Sequence, residues 1–144
     1  MRSFRSEEGS ELVEFSLCSA VLFMSLFGVI ALCMALYSYV FVTEAAREAS
    51  RYALVRGSQC QGFSDCNITS AQINTYVQNL SYPGINTANL SASASWSGNN
   101  ATVNYPGNYV TVAVNYQIPL AIPFWPKSGS IIHISSSSTM TISQ

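Results

Sequence analysis

From position 15 to position 43 the chain runs through 29 consecutive residues without an Asp, Glu, Lys, Arg or His. About 20 apolar residues cross a hydrocarbon core of ~30 Å, so this run can span a bilayer with tilt or surplus. The competing interpretation, a buried helix of a soluble protein, requires a surrounding core that the rest of a 144-residue chain cannot supply. At about 150 residues per domain, one domain remains at most. A 49% hydrophobic composition excludes a disordered chain. Four of the six basic residues fall within positions 1–51. No basic face is left to neutralise a run of phosphates, which excludes nucleic-acid binding.

A cleaved secretory signal has an apolar run of about 7–15 residues and then a small-residue cleavage site. This run is about twice that long, and residues 37–53 continue in a helical register without such a site. The residues before Cys18 are Phe15, Ser16 and Leu17, which lack the small side chains of a lipoprotein site. The apolar segment is expected to stay in the mature protein.

Beyond it the pattern becomes a charged helix. Glu44, Arg47, Glu48 and Arg51 offer Glu-to-Arg neighbours at i,i+3, while Ala45, Ala46, Ala49 and Ala53 favour helix. Gly57 reads as the terminator. A helix over residues 10–56 would reach about 70 Å, a rod projecting clear of a membrane. Gly28, Ala31, Ala35, Ser38, Val42, Ala45 and Ala49 follow at alternating spacings of three and four. They form one stripe of mostly small side chains, suited to close packing against other helices.

The N-terminus reads Gly9-Ser10-Glu11-Leu12-Val13-Glu14-Phe15 and is preceded by a short polar stretch with Arg2, Arg5, Glu7 and Glu8. A Gly, four residues, a Glu, an aromatic and a long apolar run resemble the processing site of type IV prepilins. The string Glu44-Ala45-Ala46-Arg47-Glu48-Ala49-Ser50-Arg51-Tyr52-Ala53 narrows the likeness. It resembles the helix exit of the TadE/TadG-like minor pseudopilins of tight-adherence (Tad/Flp) type IV pili, with Arg47, Arg51 and Tyr52 carrying the motif. The resemblance covers about residues 9–56, with Phe15 standing where Tyr is usual.

The resemblance implies that a prepilin peptidase removes residues 1–9, cutting between Gly9 and Ser10 and leaving the apolar helix in place. Glu14 becomes the fifth mature residue. A carboxylate there costs a few kcal/mol unless it lies at the interface or is paired. In pilins its partner is the free amine of a neighbouring subunit, here the one at Ser10. Glu14 and Phe15 are therefore the expected assembly residues. The implied partners are other pilin or pseudopilin subunits, the inner-membrane assembly platform, the prepilin peptidase and the membrane, in a homo- or hetero-oligomer.

Residues 58–144 contain two charges, Asp65 and Lys127, against 32 Ser, Thr and Asn. Solubility rests on hydroxyls and amides, which suits an exported protein and weakens repulsion between copies. Cys60 and Cys66 have no second Cys pair beside them, and His133 is the sole histidine, so no four-ligand zinc site can be assembled there. A local Cys60–Cys66 disulfide is expected, implying an oxidising compartment. Cys18 and Cys33 read as small residues within the apolar run. Arg2 and Arg5 before the segment, against Arg47, Arg51 and Arg56 after it, lean slightly against an exported C-terminus. The disulfide, the hydroxyl-rich surface and the leader outweigh that count. The expected location is the inner membrane, single-pass, with the domain in the periplasm or outside the cell.

Thr69-Ser70-Ala71-Gln72 fits a capping box, and Ile73, Tyr76, Val77 and Leu80 make one apolar face, predicting a short helix over 69–80. Residues 90–96 and 110–116 alternate as strands. A short strand over 101–105 and one or two within 131–142 would complete an antiparallel sheet. The prolines at 119, 123 and 126 are expected to end strand pairing over 118–126, leaving an apolar loop that folds over the sheet or meets a partner. Four Asn-x-Ser/Thr sites, at Asn67, Asn79, Asn89 and Asn100, are unsurprising in so Asn- and Ser-rich a stretch.

No catalytic constellation emerges: a Ser/His/Asp set would have to use His133 and Asp65. The chain is expected to be no enzyme and to need no cofactor or metal. The fold class is α+β and pilin-like, organised as a leader (1–9), a long helix (10–56) spanning the membrane over about 15–43, and an exported domain (57–144). The expected function is a minor pseudopilin or pilin subunit acting in pilus assembly, priming or adhesion. The alternative is a single-pass anchored extracellular binding or adhesion module that never enters a filament.

Overall fold

A computed structural model describes residues 4–62, 64–80, 82–98, 104–120 and 130–143. Helix α1 (Phe4–Leu54) is followed by α2 (Ser70–Asn79), a 3-10 turn (Thr87–Asn89), and strands β1 (Leu90–Ser97), β2 (Tyr109–Leu120) and β3 (Ser130–Thr141). The strands form one antiparallel sheet in the order β1-β2-β3. The architecture is the α+β arrangement expected from the sequence.

Helix α1 differs from the expected 10–56 at both ends. It starts by Phe4 because residues 1–9 are rich in Arg and Glu and contain no proline to break the turn. It stops at Leu54, short of Gly57, because tertiary partners claim the next carbonyls. The Arg56 carbonyl accepts from the Ile68 amide and the Asn104 side chain. The Gly57 carbonyl accepts from the Cys60 and Asn67 amides. Neither carbonyl then continues the helical ladder.

Helix α2 follows its sequence signals. The Thr69 side chain caps the Gln72 amide and the Gln72 side chain returns to the Thr69 amide, a complete capping box. Ile73 and Val77 are fully buried, with Tyr76 and Leu80 half-buried beside them.

The sheet buries one face. Val110, Val112, Val114, Tyr116 and Ile118 of β2 point inward, each fully buried valine contributing about 1.5–3 kcal/mol. Ser136 stands opposite Val114 and Ser138 opposite Val112 on the same face. These small β3 side chains meet Ala45, Ala46, Ala49, Ser50 and Ala53 of α1, all with no exposed surface. Ser50 and Ser138 share a hydroxyl contact of 2.9 Å. Small residues on both elements let α1 lie close on the sheet, while α2 covers β1.

Two features of the sheet depart from expectation. Strand β2 runs through Pro119 to Leu120. The β1 register ends at Tyr116, so beyond it β2 has β3 alone as neighbour and its other side is an edge, where a missing N–H is tolerated. Residues 130–141 form one long strand, in line with the one or two expected within 131–142. Of the short strand expected over 101–105, residues 101–103 lie outside the described residues, and Asn104 and Tyr105 are not in a strand. Most of the 118–126 loop, Asn100 and residues 1–3 also lie outside them.

Candidate assembly helix

Helix α1 has two environments. From residue 12 to residue 40 its large apolar side chains are exposed, Phe15 to 73% and Leu17 to 65%. This stretch meets the length and hydropathy required of a membrane-crossing helix. The serine hydroxyls in this stretch are satisfied within the helix: Ser16, Ser19 and Ser25 donate to the carbonyls of Val13, Ser16 and Leu22, so these three would not enter lipid unpaired.

Gly9 and Ser10 lie inside α1, exposed, five and four residues before Glu14. Glu14 and Phe15 are also exposed, and among the described residues no hydrogen bond or ion pair engages Glu14.

The small-residue stripe divides at Ser38. Gly28 is exposed and Ala31 and Ala35 are half-buried, whereas Ser38, Val42, Ala45 and Ala49 are buried. The partner that covers Val42, Ala45 and Ala49 is the chain's own sheet. Gly28, Ala31 and Ala35 lie outside the part of the stripe that is buried.

Of the helix-exit motif, Arg47 forms the expected i,i+3 ion pair with Glu44 at 3.0 Å. Tyr52 stacks on Tyr76 of α2, with ring centroids 4.0 Å apart, and the Arg56 guanidinium lies 3.8 Å from the Tyr52 centroid. Tyr76 donates to Glu48 at 3.5 Å. Burial pushes the Tyr76 hydroxyl above its usual value of 10, and the Glu48 carboxylate adds to the shift. Arg51 is exposed. Tyr52 thus ties α1 to α2.

Cys60 and Cys66 form a disulfide with Cα atoms 5.6 Å apart, within the usual range. It clamps the turn after α1, whose amides return to Arg56 and Gly57. Cys18 and Cys33 are free and exposed on α1.

A clasp at the start of the buried half gave no periodic signal in the sequence. Tyr37 donates to the Pro83 carbonyl at 3.0 Å. Phe41 lies 4.7 Å from the Tyr82 ring and 6.4 Å from Tyr116. Residues far apart in sequence meet here, so only the fold could place them.

The domain offers little chemistry. Among the described residues no three His, Cys, Asp or Glu side chains converge. His133 is exposed on the outer sheet face, opposite Gln117, whereas Asp65 sits in the disulfide loop beside Ser64. A cleft of about 230 Å³ is lined by Asn67, Ile68, Thr69, Ser70, Trp96 and Asn104, all uncharged.

Residues 9–51 match the family model described as TadE-like protein. The match covers α1 almost to its end and none of the domain that follows. No curated protein and no solved structure matches the chain.

Proposed function

We propose, from the premise of a TadE-like helix over residues 9–51, that this chain is a minor pseudopilin or pilin subunit of a tight-adherence pilus. One observation carries the reading. A single helix devotes one half to its own domain and leaves the large apolar side chains of the other, over residues 12–40, exposed. Lipid covers that half in the anchored state, and neighbouring helices cover it in an assembly.

Each candidate residue has a part in this reading. Prepilin peptidase cuts between Gly9 and Ser10, where the poor helix propensity of Gly, about 1 kcal/mol below Ala, makes α1 cheapest to open. The new amine at Ser10 pairs with Glu14 of a neighbouring subunit and offsets the cost of a carboxylate at the apolar boundary. Gly28, Ala31 and Ala35 admit a second helix at close range. The disulfide and the hydroxyl-rich surface support an exported domain above the inner membrane. The partners are other pilin-type subunits and the assembly platform.

Mass spectrometry of chain purified from cells with an active prepilin peptidase tests the reading. A mature N-terminus at Ser10 is the expected result. An intact 1–9 segment in assembled, membrane-extracted protein overturns processing and leaves a simple single-pass anchor, the alternative function.

A further inference from the structure

The clasp and the strand ends beside it fix where the domain meets the bilayer. Helix α1 and strand β3 run alongside each other, touching at Ser50 and Ser138. Nine residues back along the helix, about 14 Å, Phe41 meets Tyr116, whose register partner is Ile134. Four residues back along β3, about 13 Å, is that same Ile134. The two elements keep level. Ile132 and Ile131, further back on β3 by about 7 and 10 Å, therefore lie level with residues 34–37 of the helix.

That level is where the hydrocarbon core would end if α1 crosses the membrane. With Glu14 at one boundary, ~30 Å of core corresponds to about 20 residues, which reaches Met34. No free length of helix remains between the bilayer and the domain.

The chemistry of the domain's base suits this level. Tyr37, Tyr39 and Tyr82 are exposed to 47, 54 and 40%, and Ile131 and Ile132 to 53 and 39%. Leu120 and Ser130, paired in the register, close the sheet at the same end. None of these residues is charged, and the nearest described charges along α1, Glu44 and Arg47, lie about two turns further out. Tyrosines with an apolar body and a polar tip are favoured where headgroups meet acyl chains.

We propose that the base of the domain, formed by Tyr37, Tyr39, Tyr82, Ile131 and Ile132, is seated in the headgroup layer of the membrane that α1 crosses. The occupant is a lipid surface, because the patch is continuous with the apolar half of α1 and its described residues carry no charge to select a partner. Seating sets the height of the domain and, through the Tyr37–Pro83 and Phe41–Tyr82 contacts, its rotation about the helix. The proposal rests on α1 spanning the membrane.

The test uses the full chain in vesicles of phosphatidylethanolamine and phosphatidylglycerol. In a Cys18→Ser, Cys33→Ser background, Ile131→Cys or Thr139→Cys carries a fluorophore, with Tyr82→Cys as a second base position on a different element. Quenching by nitroxide-bearing lipid is compared with quenching by aqueous iodide. The label at 131 or 82 is expected to be quenched several-fold more by lipid than the label at 139, which answers to iodide. A third protein, Cys18→Ser with native Cys33 labelled, reports the span by itself. If Cys33 answers to lipid while 131 and 82 answer to iodide as 139 does, the seating is overturned and the span stands. If Cys33 answers to iodide, the span fails and the seating with it.

Discussion

Ser50 occupies a position where only a small side chain fits, fully buried between α1 and β3, donating to the Arg47 carbonyl and touching the Ser138 hydroxyl. Ser50→Leu would force the helix off the sheet, an overpacking that costs about 1–3 kcal/mol. Ser50→Ala loses one hydrogen-bonded pair, about 1 kcal/mol. Denaturant unfolding of the full chain in detergent, followed by the near-ultraviolet signal of the domain, should rank the two in that order. Tyr76 carries the pH dependence at this scale. Its folded value lies above 10, so the unfolded chain releases this proton first. The stabilisation is complete below about pH 10 and is lost as pH rises through the folded value. An ultraviolet titration of tyrosine ionisation should show the latest step advanced by Glu48→Gln and absent in Tyr76→Phe.

Among the elements, α2 and the disulfide turn are local structures with local consequences. Thr69→Ala removes the capping box of α2 at a cost of about 1 kcal/mol. Opening the Cys60–Cys66 loop frees a turn of seven residues counted end to end, a loss of about 2 kcal/mol by the chain-entropy estimate. Both losses should appear as a lower denaturation midpoint, at unchanged slope for Thr69→Ala, which leaves the surface exposed on unfolding as it was. Both elements were legible in the sequence because their signals lie within a few residues of each other. Thr69 and Gln72 cap a helix wherever it docks, and two cysteines six positions apart reach each other in any turn. Strand β2 was legible only in part. Its alternation was plain, but the tolerance of Pro119 depended on β1 ending its pairing at Tyr116, a fact about another strand.

For the molecule as a whole, half of α1 is exposed and apolar and half is core. Residues 38–54 supply the inner layer under β2 and β3, so a fragment beginning at Met34 should fold and remain soluble. One beginning after Leu54 should not, having lost the buried alanines together with Phe41 and Val42. Gel filtration and circular dichroism of the two fragments decide this. The helix runs 51 residues rather than the expected 10–56, and its outer part lies against its own sheet.

The apolar run, the Gly9-to-Phe15 string, the helix exit and the disulfide pair are statements about neighbours in the chain, and sequence by itself determined them. Periodicity likewise determined which face of α2 and of β2 would be buried. What only the tertiary structure decided is which partner covers each face. Val42, Ala45 and Ala49 belong to the same stripe as Gly28, Ala31 and Ala35, with the same spacing, yet the sheet claims the first three and leaves the others open. A stripe of small residues records that something approaches closely, whereas the identity of that something depends on where the rest of the chain comes to lie.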